Sequence, residues 1–225
     1  MSKNRTERDI LEDLKKRFPR IGFEGLLYYE ICTEACTLVE QMRAEVKKLR
    51  DSQPKNGKLY RLGPKDLDLL DKIRKQESVA IAFAAMCLEA CIWDYAACGT
   101  SKNKMEESFG SLNLVAKWVV IPQLLCGLDI TKKRIDDTCL LGRLRKLKVA
   151  RNDLVHPKSQ PLPDNLTDAF KALKPKRRKT EAKDAFGLIG LLLGELEKVD
   201  KINWWFFQTP QYRNSIKNVH ASSSS

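Results

Sequence analysis

The sequence predicts an all-α protein, a helical bundle with additional helices at both ends of the chain. Apolar residues recur every three or four positions through several long segments, which is the spacing of one face of an α-helix. Prolines and glycines fall between these segments, where helices end. No alternating β-branched run is long enough for a convincing strand. With 225 residues and 43% hydrophobic content, the chain can bury a core in one domain with appendages.

The N-terminal part of the chain is predicted to form two helices. A short helix over residues 6–17 ends before Pro19. A long amphipathic helix over residues 23–50 precedes a polar loop over residues 51–63. The expected apolar face of the long helix consists of Leu27, Ile31, Ala35, Leu38, Met42, Val46 and Leu49.

A long apolar helix is predicted at the centre of the bundle. It begins at Pro64, is apolar nearly all round over residues 79–98, and stops at Gly99. This length invites a membrane-span interpretation, but Glu89 and Asp94 fall inside the run, and a mid-bilayer carboxylate costs about 2.5 kcal/mol or more. The sequence therefore favours a core helix and no membrane partner.

Two shorter helical segments follow the central helix. They cover residues 105–109 and 113–125, with an interruption expected near Pro122. Either Asp136 or Asp137 can cap the next helix, which is strongly basic.

The C-terminal part is predicted to hold a short helix over residues 165–173 and a very apolar one over 180–200. Between them, residues 174–179 are densely basic and form either a solvated linker or an arm that contacts phosphates. The aromatic cluster at residues 204–207 either closes the core or stacks bases. The serine-rich tail over residues 211–225 is expected to be disordered.

The charge of the chain favours an acidic partner. The formal net charge is +12 and the pI is about 9.4. RNA, DNA and an anionic membrane surface all fit this charge, which does not choose among them. The first residues lack the apolar core of a secretory signal, which predicts a cytoplasmic protein.

The cysteines are predicted to be reduced core residues. The chain has 7, an odd number, and most lie within apolar helical runs. Cys32 and Cys36, like Cys87 and Cys91, are spaced four apart, so two helices could offer four thiolates to zinc or an iron–sulfur cluster. Their small apolar neighbours favour core packing instead. No metal and no cofactor is therefore predicted.

The basic helix carries an arginine on its apolar face. That face consists of Leu140, Leu144, Leu147 and Leu154. Arg151 falls on the same face, where a buried unpaired guanidinium would be costly, so it needs a counter-charge or hydrogen bonds. Glu89 or Asp94 of the central helix is a candidate supporting acid. If one of them pairs with Arg151, the arginine is a structural residue.

His156 lies directly before Pro157 and is the second anomaly. A residue before proline is pushed out of the α region, so the helix is expected to end there. Asn152 lies four residues earlier, within reach to orient the imidazole. Together with Arg151, these groups place a cation, an imidazole and an amide at one helix end. Such a set suits a phosphate and its acid–base chemistry.

A second, polar stripe runs beside the leucine face of the basic helix. It consists of Arg145, Lys148, Asn152 and His156. The stripe is either a solvated face or a phosphate-contacting surface. In the second case Arg145 and Lys148, with Lys158 just beyond the helix, are the candidate substrate-binding residues.

The run Arg151-Asn152-Asp153-Leu154-Val155-His156 resembles the R-x4-6-H motif of the HEPN domains (higher eukaryote and prokaryote nucleotide-binding), including the polar residue after the arginine. Residues 88–95 and 117–127 are similar to stretches in bacterial proteins of that superfamily. The resemblance covers residues 75–160. Trp93 departs from the family pattern, which favours an amide at that position.

The resemblance implies a HEPN-like helical bundle and a metal-independent endoribonuclease that acts as a homodimer, with the two motifs facing each other. His156 would be the general acid or base at the ribose 2′-hydroxyl or the leaving oxygen. Arg151 would stabilise the charged phosphate, and Asn152 would orient one of them. Family members of this kind often serve as toxins or in defence, so a cognate inhibitor protein is a candidate partner beside RNA. The alternative is a non-catalytic helical module that binds RNA, nucleotide or a partner protein.

This interpretation divides the chain into four parts. An N-terminal helical region over residues 1–64 packs on a HEPN-like core over 65–160. A C-terminal helical extension over residues 161–210 precedes the tail over 211–225.

Overall fold

The helices predicted from the sequence account for most of the structure. A computed structural model describes residues 24–52, 63–99, 102–135, 138–155 and 180–200. Its helices are α1 (Glu24–Asp51), α2 (Pro64–Gly99), α3 (Lys102–Phe109), α4 (Leu114–Cys126), α5 (Leu140–Val155) and α6 (Ala182–Val199). The all-α class is thereby confirmed. Outside the described residues lie the predicted helices at 6–17 and 165–173, the basic segment at 174–179, the aromatic cluster at 204–207 and the serine tail.

Helices α1 and α2 form an antiparallel hairpin. The thiol of Cys32 donates a hydrogen bond to the carbonyl oxygen of Ala80 at 3.3 Å. Farther along α1, Arg43 Nη2 lies 2.6 Å from Glu77 Oε1. Later residues of α1 therefore meet earlier residues of α2.

The buried face of α1 differs from the predicted one. Leu27 is 52% exposed and Leu38 is 36% exposed, although the apolar spacing predicts both on the core face. The buried residues are Gly25, Tyr29, Cys32, Ala35, Val39 and Val46. Ala35 and Val46 are buried as predicted. Close packing against the alanine-rich α2 also buries the small side chains of Gly25 and Cys32, which the spacing of the large apolar residues does not reveal.

Helix α2 is the centre of the main core. Ala80, Ala84, Leu88 and Ala96 are all fully buried. Small side chains at three of these positions let the neighbouring helices approach α2 closely. The helix begins at a proline and ends at a glycine, as predicted.

By length and composition, α2 could also cross a membrane. Within the described residues it is the one helix that passes this test, over Pro64–Ala97, because an 18-residue window inside it has a mean hydropathy of 1.6. The central helix of a soluble core passes the same test, and 56% of this window is buried inside the bundle.

Helix α4 runs without interruption through Pro122, contrary to the break expected there. Its first turn is capped by Asn113, whose Oδ1 accepts the N–H groups of Val115 and Ala116 at 3.1 and 3.3 Å. At the other end, Gly127 has φ 72° and donates its N–H to the carbonyl oxygen of Gln123. The proline removes only one backbone donor, and its own carbonyl oxygen still accepts the N–H of Leu128 at 3.2 Å at the C-terminal end of the helix.

A short connection leads from α4 to α5. It contains a 3₁₀ turn, Ile130–Lys132, and two antiparallel two-residue strands, β1 (Arg134–Ile135) and β2 (Thr138–Cys139). Helix α5 begins at Leu140, and the predicted cap positions 136 and 137 lie outside the described residues. The first N–H of α5 donates to the carbonyl oxygen of Lys133 at 3.1 Å. Strands of two residues leave no alternating pattern that could be recognised in the sequence.

Helix α6 completes the main core. Leu188, Ile189 and Leu192 are buried together with the leucines of α5 and the central part of α2. The indole of Trp118 on α4 donates to the carbonyl oxygen of Leu88 at 3.0 Å. Helices α2, α4 and α6 therefore surround the apolar face of α5 and fix the direction in which its last turn points.

Candidate functional site on helix α5

The apolar face of α5 is buried as predicted along most of its length. Leu140, Leu144 and Leu147 are each 0% exposed, and Leu154 in the last turn is half-buried. Burial therefore decreases toward the C-terminal end of the helix. Arg151 lies in this last part and is half-buried.

The Arg151 guanidinium is held by its neighbour along the chain. Nη1 of Arg151 donates a hydrogen bond to Oδ1 of Asn152 at 3.2 Å. No ion pair joins Arg151 to any carboxylate within the described residues. A guanidinium carries five N–H donors, and within the described residues only Asn152 accepts one of them, so the others can bind an anion.

Glu89, one of the acids proposed to support Arg151, pairs with a different cation. Nζ of Lys117 on α4 lies 2.6 Å from Glu89 Oε1 and 4.5 Å from the centroid of the Trp93 ring. The Lys117 side chain is only 5% exposed, whereas that of Glu89 is 42% exposed. Together the carboxylate and the aromatic ring stabilise a buried ammonium group.

The sequence contains the elements of this cluster, although sequence reasoning did not connect them. Glu89 and Trp93 are spaced four apart on α2 and so share one helix face. Lys117 is an isolated charge inside the apolar α4. A lone lysine in such a helix, opposite an acid and an aromatic ring at helical spacing, indicates a buried ion pair.

The other predicted site residues have the following positions. Asp94 is half-buried on α2. On α5, Arg145 is exposed, while Lys148 and Asn152 are half-buried. Arg145, Lys148 and Asn152 share one side of α5 by their spacing, beside Arg151. His156 and Lys158 lie outside the described residues.

Two buried polar contacts that sequence reasoning missed fix the surroundings of α5. Glu195 of α6 is 7% exposed; its carboxylate binds Lys133 at 3.0 Å and also pairs with Lys198. Because the carbonyl oxygen of Lys133 accepts the first N–H of α5, Glu195 helps to place the start of that helix. Burial opposes ionisation of Glu195, but the hydrogen bonds from Lys198 and Lys133 outweigh it, so its pKa lies below the usual value.

The second contact joins α2 to the end of α6. The hydroxyl of Tyr95 donates to Oδ2 of Asp200 at 2.7 Å. Burial, together with hydrogen bonds to Cys126 and Asp200, raises the pKa of Tyr95 well above its usual value. Tyr95 therefore stays protonated as a structural donor at neutral pH.

Three cysteines of α1 and α2 lie inside the core. Cys32, Cys87 and Cys91 are buried, and the sulfurs of Cys87 and Cys91 are 3.9 Å apart. Cys36 is half-buried and donates to the carbonyl oxygen of Ala182 at 3.5 Å. Within the part of the chain that the structure describes, no group of three or more histidine, cysteine or acidic residues could hold a metal ion.

Comparisons with protein families, with curated proteins and with solved structures found no match to this chain.

Proposed function

We propose that the protein is a metal-independent endoribonuclease of the HEPN type, with Arg151, Asn152 and His156 as its catalytic residues. One observation carries the proposal. Arg151 emerges from the apolar face of α5, is held by Asn152, and has no carboxylate partner among the described residues. A half-buried guanidinium with open donors is suited to bind a phosphate, because the low-dielectric surroundings strengthen the charge–charge attraction.

The proposed reaction uses the substrate's own 2′-hydroxyl as the nucleophile. His156 takes the proton of this hydroxyl as its oxygen attacks the phosphorus, and the bond to the 5′-oxygen breaks. A proton delivered to the leaving 5′-oxygen completes the step, so the products are a 2′,3′-cyclic phosphate and a 5′-hydroxyl. Arg151 stabilises the additional negative charge on the phosphate in the transition state.

The reaction needs a proton acceptor and a proton donor, and one motif supplies a single imidazole. We therefore propose a homodimer in which two α5 helices face each other and the second copy contributes the second histidine. Val155, 48% exposed in the last turn of α5, provides apolar surface for such a contact. Arg145, Lys148 and Lys158 would bind the flanking phosphates of the RNA.

The proposed setting is the cytoplasm, where the enzyme would act as a toxin or as a defence effector restrained by an inhibitor protein. This part of the proposal rests on the resemblance of the motif to the HEPN family. A direct test is the exposure of RNA to the purified chain in excess EDTA. We expect cleavage that leaves 2′,3′-cyclic phosphate ends and spares DNA, which has no 2′-hydroxyl.

A second candidate function is a non-catalytic helical module that binds RNA, nucleotide or a partner protein. The contact of Lys117 on α4 with Glu89 and Trp93 on α2 favours it, because these residues stabilise the bundle itself. Expression in a host distinguishes the two functions. A ribonuclease toxin slows growth, whereas a binding module leaves growth unchanged.

A further inference from the structure

A cleft lies at the end of the α1–α2 hairpin, where the second half of α1 faces the first half of α2. Its volume is about 640 Å³. Basic residues on its walls are Arg43, Lys47, Arg50 and Arg74. The carboxylates that line it belong to Asp51 and Glu77, so the cations outnumber the anions by two.

The basic residues of α1 form a single ridge along the cleft. Arg43, Lys47 and Arg50 are spaced by four and three residues and therefore share one side of the helix. At about 1.5 Å per residue, they extend over about 10 Å. Like charges at this spacing repel each other by about 0.2–0.5 kcal/mol per pair, so an anion placed between them would relieve the repulsion.

The opposite side of α2 is built differently. There Lys72 pairs with Asp68 at 2.7 Å, and Lys75 pairs with Asp71 at 2.9 Å. These charges neutralise each other on the helix surface.

Two cations of the cleft have no such partner. Within the described residues, no ion pair joins Lys47 or Arg74 to a carboxylate. Arg43, in contrast, is oriented by Glu77 at 2.6 Å and by Glu181 at 3.5 Å. The cleft thus combines one positioned guanidinium with two cations that can bind a ligand.

The floor of the cleft is apolar and separate from the main core. Val46 and Ile73 are 6% and 7% exposed and form a small cluster with Val39. The leucines of α5 belong to the main core cluster instead. Because an apolar floor lowers the local dielectric constant, it strengthens the attraction between the rim cations and an anion.

We propose that this cleft binds the phosphodiester backbone of a single nucleic-acid strand, as a contact with RNA in addition to the one made by α5. The ridge has the length and the charge for successive phosphates, and its cations contact backbone and not bases, so binding is independent of sequence. The identity of the strand as RNA rests on the proposed function. The binding of phosphates in the cleft does not.

The test uses a fluorescent oligodeoxyuridine strand, which the full chain can bind but cannot cut through a 2′-hydroxyl. Its affinity is measured by anisotropy over a range of salt concentrations. For the double variant Lys47→Gln with Arg74→Gln, we expect the slope of log affinity against log salt to fall by about 1.4, because each phosphate that the protein no longer neutralises lowers it by about 0.7. The matched control is Lys72→Gln with Lys75→Gln, which removes the same charge from the same hairpin outside the cleft and should leave the slope unchanged.

Two outcomes would overturn the proposal. An equal fall in slope for both double variants would show that only the net charge matters. If inorganic pyrophosphate displaced the strand at concentrations below the Kd of the strand, the ligand of the cleft would be a free phosphate compound. Neither result depends on RNA cleavage. The proposed ribonuclease site on α5 is tested separately by the cleavage of a dinucleotide, which is too short to reach the cleft.

Discussion

Arg151 and Asn152 are neighbours in sequence on α5, and Nη1 of the arginine donates to Oδ1 of the asparagine at 3.2 Å. Adjacent helical residues do not normally face each other, so the long arginine side chain bends toward the amide. The bond orients the guanidinium, whose other N–H groups make no hydrogen bond within the part of the chain that the structure describes. Asn152→Ala should therefore weaken phosphate binding and cleavage while the melting temperature of the protein changes little. A loss of activity explained entirely by unfolding in a thermal melt would contradict this role.

The pair of Glu89 and Lys117 offers a test of the core next to α5. Glu89→Gln leaves the buried ammonium without its counter-charge and should lower the free energy of unfolding by about 1–2 kcal/mol, a value reduced by the partial exposure of Glu89. Lys117→Met removes the need for a partner and should cost less. The measurement is urea unfolding of both single variants and the double variant.

In the Lys117→Met background, Glu89→Gln should have almost no effect on stability. Equal costs of Glu89→Gln in the two backgrounds would show that the contact contributes nothing.

The pH dependence of stability should reveal Glu195. Its pKa is lower in the folded protein than the usual 4.5, so the folded state binds this proton less readily than the unfolded state does. The resulting stabilisation is fully present above the unfolded pKa and is lost as the pH falls through the folded pKa. Glu195→Gln should thus be less stable than the parent at neutral pH, and the difference should shrink in acid. A difference that stays constant from neutral pH to pH ~3 would exclude this linkage.

The sequence was sufficient to predict the described helices, but it did not predict every buried helix face or every contact between helices. Pro64 and Gly99 mark both ends of α2 because their backbone preferences act locally. The face of α1 was misplaced in part, because the burial of Cys32 depends on close packing with α2, a relationship that exists only in three dimensions. Glu195 and Lys133 are far apart in sequence, so no spacing rule connects them. On α5 the burial of Leu147 could be predicted from helical periodicity alone, whereas the same periodicity places Arg151 on the buried face and the structure leaves it half-buried.

The cysteines provide a prediction about metal content. Cys91→Ala should lower the stability by about 1 kcal/mol, because it leaves a small cavity in the core, and should not change any activity. Elemental analysis of the purified protein should find no stoichiometric zinc or iron. If the parent protein contained one metal ion per chain and Cys91→Ala contained none, these thiols would be metal ligands and not core residues.

The proposed dimer predicts a specific effect of charge at the end of α5. Val155→Glu should shift the protein toward monomer in light scattering and reduce cleavage, since a buried carboxylate at the interface is costly. Leu27→Glu serves as the control, because Leu27 is 52% exposed in the first turn of α1, at the other end of that helix from the residues that line the cleft. A parent protein that is monomeric at micromolar concentration and still cleaves RNA at full specific activity would contradict the dimer.

The most direct test of the central claim is the rate of RNA cleavage by Arg151→Lys in excess EDTA. Lysine keeps the charge but cannot reproduce the planar, two-pronged contact with phosphate, so we expect cleavage to be abolished while the protein stays folded in a thermal melt. Arg143→Lys, on the first turns of the same helix, should cleave like the parent. His156→Ala, measured alongside, should lower the rate by about 100-fold to 10,000-fold. Folded Arg151→Lys protein that cuts RNA as fast as the parent would contradict the ribonuclease assignment and favour the non-catalytic module.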